Sequence, residues 1–421
     1  MNALAEPDVP MTRVVSLIEV VELNPRPDRA ALSDDLEVSF VPMAAVEAGS
    51  GRMGATAIRR FGEVKKGYTT FREGDVLFAK ITPCMENGKM AVARGLRNGV
   101  GCGSTEFHVL RPRPGVDAHY VYHFVSSARF RAQAAHHMTG AVGQKRVPAA
   151  FLEQCEMPVP DLDEQRRIVA EIEKQFSRLD EAAAYLTRVK ANLLAYKQSA
   201  VREAIWGDRS GEPATEDLPL GWSKASLSEL GEFGRGKSKH RPRDDPRLFG
   251  GRYPFIQTGD VRRSAGVIRE FTQTYSECGL QQSRLWPAGT LCITIAANIA
   301  ETGILAMPAC FPDSVVGFVS QDEVLVRYVE LFFRTIRANL ERFAPATAQK
   351  NINLAVLERV QVPLPPVSER TRIVAEVDRR LSIVREVEAE VDAKLKRAQA
   401  LRQAVLARAF ACADQAVPSP A

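Results

Sequence analysis

Apolar residues recur at every third or fourth position along two long stretches of the chain. One stretch runs from Ile168 to Ala200, and the other runs from Ile373 to Val405. This spacing places the apolar side chains on one face of a helix and is typical of a coiled-coil seam. Each stretch is therefore predicted to be a long helix, and residues 163–206 would span about 66 Å.

The rest of the chain has short apolar runs in place of helical periodicity. The segments DVLFAKI at 75–81 and TLCITIA at 290–296 lie between glycine and proline residues. Runs of this length with such boundaries predict strands joined by turns. We therefore expect a mixed α/β domain ahead of each long helix.

The two halves of the chain share one plan. The segment PVPDLDEQRRIVAEIE begins at Pro158 and PLPPVSERTRIVAEVD begins at Pro363, an offset of 205. Asp163 and Ser368 hold equivalent positions and are residue types that cap helix N-termini. A period of this length indicates a domain duplication. If the two helices pair antiparallel, a pseudo-two-fold axis relates the repeats.

The predicted fold class is α+β, with two mixed α/β domains separated by two long antiparallel coiled-coil helices. The predicted boundaries follow from the repeat and the Gly/Pro-rich linker after the first helix. They are 1–160 for the first domain, 161–207 for the first helix, 208–218 for the linker, 219–365 for the second domain, 366–413 for the second helix and 414–421 for a tail.

Composition and charge narrow the function only moderately. The net charge of +5 permits a polyanionic partner. The seven cysteines include no C-x-x-C pair, which argues against a zinc site or a disulfide framework and favours the cytoplasm. Because the chain has no run of 18 apolar residues and no signal-peptide pattern at its start, we expect no membrane span and no export.

The stretch GEFGRGKS at 231–238 matches the phosphate-binding loop of nucleotide hydrolases. That loop needs a buried strand before it and a helix that opens at its lysine. The preceding SKASLSEL is half polar, and prolines follow at 242 and 246. We therefore predict no nucleotide site here, and the basic residues need another explanation.

Other catalytic patterns also fail on their context. NPRP at 24–27 lacks the aromatic residue of an amino-methyltransferase loop, and DAK at 392–394 lies inside the second predicted helix. His119 and His123 have i, i+4 spacing, but no cysteine or glutamate completes a zinc motif. The sequence therefore predicts no catalytic residue and no metal site.

The repeated motifs together resemble the specificity subunit of type I restriction–modification systems. The resemblance rests on PVPDLDEQRRIVAEI and PLPPVSERTRIVAEV, one before each long helix. It also rests on LPLGWSKASLSELGEFGRGKS at 218–238 and on ATAQKNINLAVLERVQVPLPP at 346–366. These segments occur in the family's order, and the resemblance covers nearly the whole chain.

The resemblance implies that each domain is a target-recognition domain for one half of a bipartite, asymmetric DNA sequence. The helices would set the spacer between the half-sites and would dock two methyltransferase subunits, and through them the restriction subunits. The chain itself would be non-catalytic and would carry no cofactor. S-adenosylmethionine, ATP and Mg²⁺ would bind to the partner subunits.

Candidate DNA-contacting residues are basic and amide side chains in glycine-containing loops. Lysine and arginine suit phosphates, and glutamine and asparagine suit base edges. The candidates are Lys80, Lys89, Gln144, Lys145, Arg146, Arg235, Lys237, Lys239, Arg241, Gln349, Lys350 and Asn351. A solvated charged loop, or a loop that fixes the domain on its helix, is the simpler alternative for each of them.

Two rival functions stay open at the level of the sequence. One is a coiled-coil scaffold with two interaction domains that bind no DNA. The other is a DNA-binding module of a fused or accessory modification system. Salt-dependent binding of duplex DNA would exclude the scaffold.

Overall fold

The structure is a computed structural model that describes residues 12–26, 31–141, 143–207, 218–240, 242, 244–296, 299–342, 352 and 354–411. The chain divides into two compact units. The first unit comprises Met1–Leu186 with Ala393–Ala421, and the second comprises Thr187–Asp392.

The first unit combines short strands with helices. Its described strands are β1 (Arg13–Ser16), β2 (Val21–Leu23), β3 (Glu37–Val41), β4 (Ala57–Arg60), β5 (Thr69–Arg72), β6 (Val76–Ala79), β7 (Met90–Val92), β8 (Val100–Gly103), β9 (Phe107–Pro112) and β10 (Glu156–Val159). Its helices are α1 (Leu17–Val20), α2 (Phe61–Val64), α3 (Ala118–Ser126), α4 (Ala128–His136), α5 (Ala149–Gln154) and the start of α6 (Leu162–Trp206).

These strands form two four-stranded sheets, in the orders β2-β9-β6-β7 and β4-β3-β8-β5, and β1 pairs with β10. Strand β6, which the segment DVLFAKI predicted, is buried on both faces. Because side chains alternate along a strand, Val76 and Phe78 join the cluster that contains α3 and α6, whereas Leu77 joins the cluster that contains residues of β3 and β5. The first sheet is therefore a layer between helices and the second sheet.

The second unit has a similar mixture. Its described strands are β11 (Ser223–Ala225), β12 (Glu232–Arg235), β13 (Phe249–Phe255), β14 (Val267–Ile268), β15 (Gln273–Tyr275), β16 (Leu291–Thr294), β17 (Thr302–Leu305), β18 (Val315–Val319) and β19 (Val362–Leu364). Its helices are α7 (Leu227–Leu230), α8 (Thr258–Arg263), α9 (Glu277–Gln281), α10 (Glu323–Arg342), α11 (Leu354–Glu358) and the start of α12 (Val367–Ala411). The sheet orders are β12-β18-β16-β17-β14, β13-β15 and β11-β19.

The sequence repeat reappears as a repeat of polar contacts. The carboxylate of Asp117 accepts a hydrogen bond from the backbone N–H of Tyr120, and its own N–H donates to Gln165. At the offset of 205, Asp322 accepts from the backbone N–H of Leu325 and binds the Arg370 guanidinium at 2.6 Å. The predicted internal duplication is confirmed.

A buried tyrosine ties each domain to the turn before its long helix. The Tyr120 hydroxyl donates to the Pro158 carbonyl at 3.0 Å, and the Tyr328 hydroxyl donates to the Pro363 carbonyl at 2.7 Å. The two prolines are equivalent in the repeat. Both units therefore use the same buried bond at the junction of domain and helix.

Removing either hydroxyl should cost the same amount of stability. Tyr120→Phe and Tyr328→Phe each leave a buried carbonyl without its donor, which costs about 1–2 kcal/mol. Urea unfolding of the full-length chain followed by tryptophan fluorescence and circular dichroism measures this. A control, Tyr185→Phe, alters a side chain that is 60% exposed and should change the free energy of unfolding by less than about 0.5 kcal/mol. A loss in only one of the two units would contradict the equivalence.

Both long helices are confirmed, and their apolar seams are buried in part, whereas the seam residues Tyr196, Val387 and Leu401 are exposed. In the first unit, Ile172 and Phe176 of α6 belong to one core cluster with Leu406 and Phe410 of α12. The helix segments within the second unit pack likewise. Val201 and Ile205 of α6 share a cluster there with Val374, Val377 and Leu381 of α12.

Ion pairs show that the helix segments run antiparallel. In the second unit, Lys190 pairs with Asp392 at 2.7 Å and Lys197 pairs with Glu388 at 2.5 Å, so rising numbers on α6 meet falling numbers on α12. Lys190 is half-exposed and lies beside the seam.

The predicted cap positions of both long helices are wrong by two residues. Asp161, not Asp163, caps α6, because its carboxylate accepts the backbone N–H of Glu164 at 2.8 Å. Helix α12 begins at Val367, so Ser368 already lies in its first turn, and the Pro366 carbonyl accepts the N–H of Arg370. A proline can occupy the N-cap position because that residue contributes only its carbonyl to the helix. The N–H group that proline lacks is not needed there.

Candidate nucleic-acid interface

The basic segment at 231–238 lacks the context of a phosphate-binding loop in the structure. Helix α7 precedes it, and residues 232–235 are themselves the strand β12. No helix starts at Lys237 among the described residues that follow; the next helical element is a short 3-10 turn at Pro246–Leu248. The nucleotide-binding interpretation therefore fails on the context that the motif requires.

The segment from 235 to 240 instead alternates between outward and inward side chains. Arg235, Lys237 and Lys239 are exposed. No hydrogen bond or ion pair joins their side chains to any described residue. The three cations occupy alternate positions, and alternate residues of an extended chain lie about 6.6 Å apart. We call these three residues the cationic row.

Contacts with neighbouring segments hold the backbone of the cationic row in place. A side chain at Gly236 would place its Cβ 2.2 Å from the Phe311 carbonyl oxygen, so the chain passes where only glycine fits. The Gly236 N–H donates to the Val315 carbonyl at 2.9 Å. The Lys237 carbonyl accepts a hydrogen bond from the Ser283 hydroxyl at 2.8 Å.

The far end of the row is held in the same way. The His240 N–H donates to the Gln282 side chain at 3.0 Å, and its Nε2 lies 2.9 Å from the Asp245 carboxylate. Asp245 also forms an ion pair with Arg247 at 2.7 Å, and hydrogen bonds from Arg247 lower the pKa of the Asp245 carboxyl. Arg247, which belongs to the same basic run, is therefore neutralised within its own loop.

Other predicted residues of the second unit cannot be placed. Arg241, Gln349, Lys350 and Asn351 lie outside the described residues. Their predicted contacts with DNA stay predictions.

In the first unit, Lys80 and Lys89 lie at the two ends of the loop that joins β6 to β7. These strands pair antiparallel, so the hairpin predicted around Asn87-Gly88 is confirmed, and Gly88 has a φ of +71°. Both lysines are half-buried. The Lys89 ammonium donates to the Met43 carbonyl at 3.1 Å, which ties it to its own domain. A role for these lysines in DNA contact stays a prediction.

A second loop of the first unit presents Gln144 and Lys145. Thr139 and Arg146 pair across its base, with N–H···O distances of 2.8 and 3.0 Å. Gln144 and Lys145 at its end are exposed. We call Gly140, Ala141 and residues 143–145 the amide tip. An exposed glutamine beside a lysine offers a donor and acceptor pair for a base edge together with a charge for a phosphate.

Arg146 is partly exposed, and its side chain is paired within its own domain. Its guanidinium forms two hydrogen bonds with the Glu106 carboxylate, at 2.8 and 2.9 Å. The pair raises the pKa of Arg146, and the hydrogen bonds from Arg146 lower the pKa of Glu106. Glu106 lies 40 residues away in the sequence, and no local pattern pointed to it.

The base of the amide tip is held by a buried histidine. His108 Nε2 lies 2.9 Å from the Val147 carbonyl oxygen, and His108 Nδ1 lies 3.0 Å from Asn24 Nδ2. Because a carbonyl can only accept and an amide nitrogen can only donate, His108 is the neutral tautomer with its proton on Nε2. Burial lowers the pKa of His108, which keeps this arrangement intact at neutral pH.

No cluster of three or more potential metal ligands occurs among the residues that the structure describes. His119 lies 3.3 Å from Glu173, and His123 is buried against the ring of Phe176.

None of the described helices is long and apolar enough to cross a membrane.

The fold and these loops define a class of duplicated protein: two mixed α/β domains with exposed basic or amide loops, and two long paired helices. Comparison with known proteins identifies the family. The model of the type I restriction modification DNA specificity domain matches residues 12–185 and again residues 219–397. The chain belongs to this family and contains the domain twice.

Relatives in sequence agree with this assignment. The chain is 36% identical over 212 residues to the specificity subunit of the type I restriction enzyme EcoAI from Escherichia coli, a match that covers 50% of this chain and 35% of the relative. The match to the EcoEI specificity subunit from the same species is 36% identical over 213 residues and covers the same shares. The chain thus spans about a third of the length of these relatives.

Solved structures share the fold. A chain of a type I R-M system, studied for complex assembly and conformational transition, superposes with a TM-score of 0.78 at 22% identity and covers 95% of this chain and 97% of that one. The HsdS subunit from Thermoanaerobacter tengcongensis gives a TM-score of 0.57 at 23% identity over 95% and 96% of the two chains. These likenesses confirm the predicted architecture of two domains and two long helices.

Proposed function

We propose that this chain is the DNA-specificity subunit of a type I restriction–modification complex, and that it recognises a bipartite, asymmetric sequence. The observation that supports this most directly is the cationic row. Three exposed cations, whose side chains have no partner in the described part of the chain, lie on a backbone held by neighbouring segments, in a chain that carries two DNA specificity domains. Such a row suits the regularly spaced phosphates of a duplex.

The two units offer different kinds of DNA contact. The cationic row supplies phosphate contacts, which set affinity and register without sequence information. The amide tip of the first unit supplies Gln144, a side chain suited to an adenine edge in the major groove. Together, the cationic row and the amide tip provide the phosphate contacts and the base contact that sequence-specific binding requires.

The proposal assigns catalysis to partner subunits. The chain would dock two methyltransferase subunits on its long helices, and the restriction subunits would join through that complex. S-adenosylmethionine, ATP and Mg²⁺ would bind to those partners, in the cytoplasm of a prokaryotic cell. The long helices would set the spacer between the two half-sites. The scaffold that binds no DNA is not favoured, because both matched regions belong to a DNA specificity domain.

Fluorescence anisotropy with a labelled random duplex of about 40 base pairs tests the proposal. Between 50 and 200 mM salt the full-length chain should lose affinity steeply, with a linear dependence of log affinity on log salt. Heparin serves as a competitor, and a duplex with a neutral methylphosphonate backbone serves as the matched control ligand. Binding that is absent at 50 mM salt, or equal for the charged and neutral duplexes, would contradict the proposal.

A further inference from the structure

We infer that Glu106 and Arg146 form a clamp that positions the amide tip, so that the pair controls discrimination between DNA sequences without contacting DNA. The inference rests on the proposed function, because it assigns roles within the same interface. Both residues are positioning residues in this account, and Gln144 and Lys145 are the residues that touch DNA.

Arg146 is the point at which the amide tip joins the domain. Its backbone pairs with Thr139 on one side, and it forms an isolated bridge to Ile81 on the other. The neighbouring carbonyl of Lys145 accepts the N–H of Thr82 at 3.0 Å. Residues 145–147 are therefore held between two other segments of the chain. The orientation of the tip depends on the position of Arg146.

The Arg146 side chain connects Glu106 to the amide tip. Two of its nitrogens bind the two oxygens of Glu106, and Nη1 donates to the Gln144 carbonyl at 3.0 Å. Glu106 is fixed in turn, because its own carbonyl accepts the N–H of Lys80 at 2.9 Å. One planar guanidinium thus links a strand end, the loop base and the residue that carries the amide. A planar fork with several fixed donors suits this geometry, whereas a lysine could satisfy only part of it.

The backbone of the amide tip contains two glycines in unusual conformations. Gly140 and Gly143 have φ values of +124° and +80°, which are conformations that other residues rarely adopt. Glycine permits these turns but does not favour one over another. The Gln144 N–H donates to the Ala141 carbonyl at 3.0 Å, within the tip itself. Among the described residues, the clamp is thus the side-chain link between the tip and the domain, beside the backbone bond from Thr82 to Lys145.

The sign of one substitution separates positioning from simple electrostatics. Glu106→Gln removes a negative charge from the neighbourhood of the proposed DNA backbone. If Glu106 acted only through its charge, the variant would bind every duplex more tightly. If Glu106 positions the tip, the variant should bind the cognate duplex more weakly and leave binding of random duplex unchanged.

The experiment compares two duplexes of equal length, using the full-length chain in complex with its methyltransferase subunits. One duplex carries the site that methylome sequencing defines, and the other has a random sequence. We expect Glu106→Gln and Arg146→Lys each to weaken cognate binding roughly 10-fold, in the range of one lost base contact, and to change random binding less than about 2-fold. Glu37→Gln is the matched control, because it breaks another two-bond pair of the same unit, with Arg97. It should leave both affinities unchanged.

A double-variant cycle shows whether the clamp acts through the tip. In a Gln144→Ala/Lys145→Ala background, Glu106→Gln should have no further effect on cognate binding. Tighter binding of both duplexes by Glu106→Gln, equal loss on both, or a full additional loss in the tip-deficient background would overturn the inference while leaving DNA binding itself established. Absence of salt-dependent binding by the unmodified complex would instead overturn the proposed function.

Discussion

Replacing Arg235, Lys237 and Lys239 together by alanine will weaken binding of random duplex DNA on the order of 100-fold at 0.1 M salt. Each phosphate contact contributes about 0.9 to the slope of log affinity against log salt, so the slope should fall by about 2.7. The row is exposed and its side chains have no partners among the described residues, so their loss should leave the free energy of unfolding within about 0.5 kcal/mol.

A matched variant controls for the change in net charge. Arg167, Arg372 and Arg379 are also exposed, but each is paired with a glutamate on its own helix. Their triple alanine variant removes the same number of positive charges. It should change the salt slope by less than one unit, because long-range charge is screened within about 10 Å at 0.1 M salt. Equal losses in the two triple variants would show that the row has no special role.

A chain truncated to residues 1–211 is expected to form a homodimer and, with the methyltransferase, to direct modification of an interrupted palindrome. The first unit of the full chain buries Leu406 and Phe410 of α12, which this truncation removes. The equivalent residues Val201 and Ile205 of α6 remain in the truncated chain. A second copy can therefore supply its own α6 segment in place of α12, and an isologous dimer results.

Identical domains then impose the symmetry of the recognised sequence. Two copies of the first domain must recognise the same half-site twice, as an inverted repeat. Light scattering measures the dimer, and methylome sequencing of cells with the truncated chain measures the site. Val201→Asp/Ile205→Asp in the truncated chain is the control, since a charged seam should prevent dimer formation. A folded monomer of the unmodified truncated chain, or an asymmetric modified site, would contradict the expectation.

The long helices and the duplication were predictable from sequence because both depend on repetition. The apolar seam can be predicted from the spacing of residues such as Ile172 and Phe176. The repeat can be predicted from identical residues at one constant offset. The cap of α6 was harder, because Asp161 and Asp163 are the same residue type within the same turn. Only the backbone geometry shows which carboxylate meets the free N–H groups.

The residue types of the candidate nucleic-acid interface were predictable from sequence, but the contacts that position them were not. The sequence showed that cations cluster after Gly231, yet it could not show that the distant residues Ser283 and Val315 hold the backbone between them. It also grouped Arg146 with the DNA contacts, whereas the structure joins it to Glu106. Long-range ion pairs have no local pattern, because residues far apart in sequence meet only after folding.

In the proposed function, this chain determines which DNA sequence a methyltransferase modifies. Single-molecule methylome sequencing of a host lacking other modification systems tests it directly, with cells that express the methyltransferase subunit alone or together with this chain. We expect a bipartite, asymmetric motif that is methylated only when the chain is present. Methylation of this motif should be lost in the Arg235→Ala/Lys237→Ala/Lys239→Ala variant when the complex is limiting. A motif that is methylated equally with and without the chain would contradict it.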